Sequence, residues 1–222
     1  RGTEGDMGRG TDRMAVMLAF LVIYTVWGST YLAIRVGLET IPPFLSAGVR
    51  LLAAGVILDL WLAATGRRQP VGDREWWMAA LTGFLMLVCG LGGVTWAEQT
   101  VPSGVAALLI IAVPLWMMIL DGLVFKTGRI TVTSLMGLVL GIVGLVILVG
   151  PTTGSLGAVD PWGAAVIIGG AFCWSLGSQL SRTGSMPASP IRSVAIQMTV
   201  AGVVLLGMST VAGEWQAGFA LT

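Results

Sequence analysis

The sequence contains no histidine, one lysine (Lys126), two cysteines and little charge of either sign: Lys and Arg total 12 and Asp and Glu total 11 in 222 residues. Without histidine, neither an HExxH metal site nor a Ser-His nucleophile pair can be assembled. No GxxxxGKS or GxxxxGKT loop is present, which excludes P-loop nucleotide hydrolysis. Asp59 and Asp121 are the one conceivable acid pair, and nothing flanks either in support. Cys89 and Cys173 each sit inside an apolar run without CxxC spacing, so they read as small packing residues. These absences argue against an enzyme, and no cofactor, metal or nucleic-acid partner is expected.

The scarcity of charge carries further. Charged residues make up 10% of the chain, hydrophobic residues 55%, and the mean hydropathy is +0.89. A soluble domain carries about 25% charged residues because its surface faces water. Here the solvent over most of the surface is lipid. A helix needs about 20 apolar residues to cross a hydrocarbon core of about 30 Å. Seven segments meet that length: 14–34, 44–65, 76–97, 104–125, 130–150, 162–181 and 191–212. Between them fall Pro42, Pro43, Gly66, Arg67, Arg68, Pro102, Lys126 to Arg129, Pro151, Pro187 and Pro190. The runs are continuously apolar, which predicts helices and not alternating strands. The first is too long for a signal-peptide core and no small-residue cleavage site follows it.

Basic residues set the expected orientation. Arg1, Arg9 and Arg13 precede the first segment, and Arg67, Arg68 and Arg74 follow the second. Lys126 and Arg129 follow the fourth, and Arg182 and Arg192 flank the connection between the sixth and seventh. All fall on one side, whereas loops 37–43, 98–103, 151–161 and 213–222 contain no Lys or Arg. The positive-inside rule predicts a cytoplasmic N-terminus. Arg35 is the exception among the helix ends. Trp61, Trp76, Trp77, Trp162 and Trp215 fall at the expected interfaces, as an aromatic belt would. Residues 1–13 are polar and glycine-rich and predict a disordered cytoplasmic tail, with Met7 or Met14 as alternative starts.

Sliding the sequence against itself by 147 positions aligns the first two segments with the last two without a gap. Trp27 falls on Trp174, Arg35 on Arg182, Gly37 on Gly184, Pro43 on Pro190, Ser46 on Ser193, Gly55 on Gly202 and Gly66 on Gly213. A repeat unit of five helices is odd, so the second copy inserts upside down, and inverted repeats are a signature of secondary transporters. In this register Trp76 maps past the last residue. The expected organisation is a complete copy over 14–150 and an incomplete one over 151–222: seven transmembrane helices of ten, in a full protein of about 297 residues.

Four stretches carry a family resemblance: WGSTYLAIRVGLETIPPFLSAGVRLLAAGVIL, TWAEQTVPSGVAALLIIAVPLW, GLVLGIVGLVILVG and PWGAAVIIGGAFCWSLGSQLSR. The first three resemble the first EamA domain of the drug/metabolite transporter superfamily, and the fourth resembles the start of a second. The likeness covers residues 14–215 and is closest to bacterial metabolite exporters. It implies an all-α bundle of two inverted five-helix repeats in a bacterial inner membrane, with a central cavity opening alternately to each side. It also implies outward movement of amino acids, other metabolites or toxic compounds.

Charged and polar groups at bilayer depth are functional candidates. Arg50 lies about two turns into the second segment, at the position of a family Arg that follows the Pro-rich turn. It would attract a carboxylate or organise the cavity; the alternative is a structural ion pair or a snorkelling side chain. Tyr24, Trp27, Tyr31 and Arg35 recur at helical spacing on one face beside Gly28, and Trp174, Ser178, Gln179 and Arg182 form the related stripe. Two such stripes suit a cavity between copies, although aromatic stripes also simply pack. Glu98 and Gln99 close the third segment. Glu98 would couple transport to protons if desolvation raised its pKa, and is otherwise a solvated loop acid. Asp59 stands out of phase with Arg50 on one helix, which disfavours a pair between them. Pro114 removes a donor from the fourth segment and permits a gating kink. Gly137, Gly141 and Gly144 give the fifth a small-residue face for bundle packing or a homodimer contact.

The expectation is a secondary transporter, exporting a small polar metabolite such as an amino acid or a toxic compound by alternating access. The competing reading is a non-transporting scaffold or sensor, or an inactive fragment of a transporter.

Overall fold

The computed structural model describes residues 4–126, 131–149 and 160–216, and every regular element among them is helical. Arg1, Arg129 and Pro151 lie outside the described residues. In chain order the helices are α1 (Glu4–Leu38), α2 (Pro43–Ala64), α3 (Asp73–Ala97), α4 (Ser103–Val124), α5 (Val132–Val149), α6 (Pro161–Thr183) and α7 (Pro190–Val211). The chain is an all-α polytopic membrane protein.

Six of these helices are long and apolar enough to cross a membrane; in α1 the qualifying part is Met14–Leu38. The fifth expected span is the exception, because its described apolar part, Val132–Gly144, is shorter. Among the described residues the seven expected spans are therefore six spans and one shorter apolar helix. The helical backbone of α1 also begins at Glu4, inside the stretch whose composition predicts a disordered tail.

Local chemistry fixes the ends. Pro43, Pro161 and Pro190 each open a helix, where a missing N–H costs nothing and φ is already helical. Asp160 caps α6 by accepting from the N–H groups of Trp162 and Gly163, and Ser189 caps α7 by accepting from Arg192. No side chain of its own neighbourhood caps α2. Its first amides, those of Phe44 and Leu45, donate to the carboxylate of Glu214, which follows α7. At the other end, Gly66 and Gly213 adopt left-handed φ of 65° and 71°. Each lets the next residue reach back: Arg67 N–H donates to Leu62 at 2.9 Å and Glu214 N–H to Ser209 at 3.0 Å. The two caps are the same motif, 147 residues apart.

The crossing of α2 and α7 is reciprocal in that register. A Cβ on Gly55 would stand 2.7 Å from the backbone nitrogen of Thr199, and one on Gly202 would stand 2.5 Å from that of Leu52. The two backbones touch because neither position carries a side chain. Around this contact Ala47, Leu51, Val88, Ala201 and Leu205 form one buried cluster. A second joins the end of α3, the start of α4 and α6 through Val94, Ala97, Val101, Val105, Leu109 and Ile167.

Two helices are irregular. α3 contains a π-helical stretch, Phe84–Gly92, and α4 ends in another, Leu120–Val124. α4 also breaks near its middle. Pro114 has no N–H for the carbonyl of Ile110, which accepts instead from Val113 at 2.9 Å. α1 is the least covered span, with 6% of its best apolar window buried. Its apolar surface is matched to hydrocarbon.

A candidate solute cavity

Between α1, α2, α3, α4, α6 and α7 lies a cavity of about 640 Å³. Trp27 and Tyr31 come to it from α1, Arg50 from α2, Gly90 and Val94 from α3, Val113 and Met117 from α4, Trp174 from α6 and Met198 from α7. A helix that places Trp27 and Tyr31 on one face delivers both to the same wall. Trp27 and Trp174 touch edge to face, with ring centroids 6.2 Å apart.

Arg50 is exposed to this space and has no hydrogen bond or ion pair among the described residues. The rest of the wall is aromatic, aliphatic and sulfur-bearing, apart from the hydroxyls of Thr30 and Tyr31. An unpaired guanidinium at membrane depth is costly unless a ligand or water reaches it.

The other sequence candidates are distributed unevenly. Tyr24 stands apart on the outer face of α1, 71% exposed and stacked on Phe20. Ser178 and Gln179 lie one turn beyond Trp174 and do not line the cavity. Gln179 is buried, its side-chain oxygen accepting from Arg182 and its carbonyl from Thr183. Gln99 donates to the carbonyl of Trp96. Pro114, Gly137 and Gly141 line a second, largely apolar cavity of about 540 Å³ between α4 and α5. There Gly141 faces Ile111, and nothing stands within 4 Å of where a Gly137 Cβ would be.

Glu98, just past the end of α3, is fully buried. The solvated-acid alternative is thereby excluded. Neither carboxylate oxygen has a hydrogen-bond partner among the described residues. Arg35 reaches across from α1 and donates to the carbonyls of Glu98 and Gln99, which accounts for the one arginine off the basic side. Burial pushes the Glu98 carboxyl up to about 7, against the pull of Arg35. In the same corner Asp160 is held below its ordinary range by the Thr100 hydroxyl, with the Trp162 and Gly163 amides assisting.

Several contacts escape a reading of the sequence. Asp59 and Asp121 do not meet each other. Asp59 of α2 pairs with Arg192 of α7 and with Arg68 (3.1 Å), and Asp121 of α4 lies 3.9 Å from Arg182 of α6. Ser175, buried in α6, donates to the carbonyl of Val113 at 3.0 Å, beside the break in α4. Gln197 of α7 donates to Thr82 of α3 at 3.2 Å. Only the repeat of Ser and Thr on apolar faces hints at such bridges.

The model described as the EamA-like transporter family matches residues 14–150. The chain is 39% identical over 198 residues to YedA of Escherichia coli strain K12, named an uncharacterized inner membrane transporter. It is 30% identical over 209 residues to YvbV of Bacillus subtilis, named an uncharacterized transporter, and 28% identical over 212 residues to a WAT1-related chloroplastic protein of Arabidopsis thaliana. These alignments take in 88%, 93% and 94% of the chain but 62%, 65% and 51% of the three relatives. The chain thus spans less than two thirds of their length. No solved structure matches it.

Proposed function

The chain belongs to the EamA-like transporter family, and from that premise we propose that it forms the solute pathway of a secondary transporter. On this reading a small polar metabolite, such as an amino acid, is exported across a bacterial inner membrane by alternating access. The N-terminus lies in the cytoplasm, because the Arg-rich connections share its side.

One observation carries the reading: Arg50 faces a cavity of about 640 Å³ without a partner among the described residues. A guanidinium offers a planar fork of donors that suits a carboxylate. Trp27, Tyr31 and Trp174 stand on the same walls and suit the apolar body of a solute. The reciprocal packing of α2 and α7 supports a rocking interface, since two equivalent halves can exchange conformations around such a crossing.

Reconstituted protein in liposomes, loaded with a mixture of proteinogenic amino acids, tests this directly. Exit of one or more amino acids above the rate of empty liposomes, lost in Arg50→Ala, is the expected result. No flux in either direction under an imposed gradient favours the scaffold reading instead.

A further inference from the structure

A carboxylic acid sealed from water without one hydrogen bond is stable only as the neutral acid, because an unpartnered carboxylate would lose its hydration for nothing. Glu98 is in that position. It is 0% exposed, and both of its oxygens are buried and without a hydrogen-bond partner among the described residues. It follows Val94 by one helical turn, and Val94 lines the solute cavity together with Tyr31 and Ile34 of α1. The carboxyl therefore lies one turn beyond a residue of the cavity wall, with Tyr31 and Arg35 of α1 within electrostatic reach.

The surrounding groups do not supply a fixed partner. From α1, Tyr31 and Arg35 reach the acid electrostatically, but Arg35 spends its hydrogen bonds on the carbonyls of Glu98 and Gln99. From the start of α6 comes Asp160, already engaged by Thr100, Trp162 and Gly163. α2 brings Arg50 to the cavity wall, and the adjoining part of α4, Ser103–Leu109, has no titratable side chain. Arg35 is close enough to favour the ionised form, while its hydrogen bonds go to backbone carbonyls and not to the carboxyl.

We propose that Glu98 is the proton-binding group that couples solute movement to a proton gradient, holding its proton while α1 covers it and releasing it when α1 withdraws. The inference rests on the transport reading above. One proton is bound per carboxyl in the covered state. On opening, that proton passes to water on the side to which the cavity then opens, and the Glu98 carboxylate left behind faces Arg35. Burial, which pushes this carboxyl up to about 7, places the exchange near neutral pH.

Infrared titration of the purified protein in liposomes reads the site without any solute. The expected result is a protonated-carboxyl band that disappears as pH rises through about 7, is missing in Glu98→Gln and is displaced in Glu98→Asp. Absence of the band in the wild type at pH 5 overturns the proposal. The coupling is read in the same liposomes with the amino-acid mixture under an imposed pH gradient. Wild-type accumulation should follow the gradient, and the dependence should vanish in Glu98→Gln. An unchanged gradient response in that variant, or none in the wild type, overturns the coupling. A titrating band with no solute flux at all sinks the transport reading and the coupling together.

Discussion

Trp27 of α1 and Trp174 of α6 meet edge to face at 6.2 Å, with their ring planes 87° apart. They align with each other when the sequence is set against itself at an offset of 147 residues. The crossing of α2 and α7 is reciprocal at the same offset, Gly55 lying on Thr199 as Gly202 lies on Leu52. The solute cavity thus carries both aligned tryptophans on its walls.

Arg50→Ala should lower the initial rate of solute exit at least about tenfold, the effect of losing one charge-assisted hydrogen bond worth about 1.5–3 kcal/mol. Arg50→Lys should recover part of it, since an ammonium keeps the charge but not the fork. Initial rates in proteoliposomes check both variants.

Gly202→Ala should lower stability by about 1–3 kcal/mol, as overpacking of a tight contact does, because its Cβ would meet backbone of Leu52. Gly207→Ala is the control, with open space at that point and a gain in helix propensity. Thermal unfolding in detergent should separate them by several degrees, with Gly202→Ala the lower.

The raised Glu98 pKa gives stability a definite pH slope. Its folded value of about 7 exceeds the ordinary 4.5, so between these limits the folded state binds more protons than the unfolded state. Stability must then fall as pH rises through that window and level off above it. Melting curves from pH 4 to pH 8 should show the decline in the wild type and a flatter profile in Glu98→Gln.

Asp59→Ala should cost about 3 kcal/mol, since it strands the largely buried Arg192 without its partner. Arg68→Ala should cost about 0–1 kcal/mol, because that side chain is 52% exposed. Partial recovery in the exchange of Asp59→Arg with Arg192→Asp would show that the pairing itself matters. Denaturation midpoints in detergent measure all three.

Helix positions were legible because lipid imposes a simple rule: a long apolar run bounded by Pro, Gly or charge. The segment read as 191–212 is Pro190–Val211, and 104–125 is Ser103–Val124. The 147-residue offset read from Trp, Pro and Arg matches is also the one at which Gly55 lies on Thr199 as Gly202 lies on Leu52. Four of the chosen residues, Trp27, Tyr31, Arg50 and Trp174, line one cavity. What periodicity does not reveal is azimuth within the bundle. Tyr24 shares a stripe with Trp27 yet faces outward, and Gln179 turns into a packed interface. Cross-helix partners such as Asp59 with Arg192 depend on how far each helix slides along its neighbour, and hydropathy carries no information about sliding. The π-helical stretch in α3 is likewise silent in the sequence, because a wider turn changes backbone bonding and not composition.

That stretch, Phe84–Gly92, lies between the anchored start of α3 and Glu98. A wide turn stores one residue beyond the α-helical count. Returning it to α-helical winding would feed that residue forward, turning the far end of α3 by about 100° and advancing it by about 1.5 Å. Glu98 rides on that end. A change in winding six residues away would therefore turn the acid's point of attachment relative to the neighbouring helices, without any tilt of α3 as a whole.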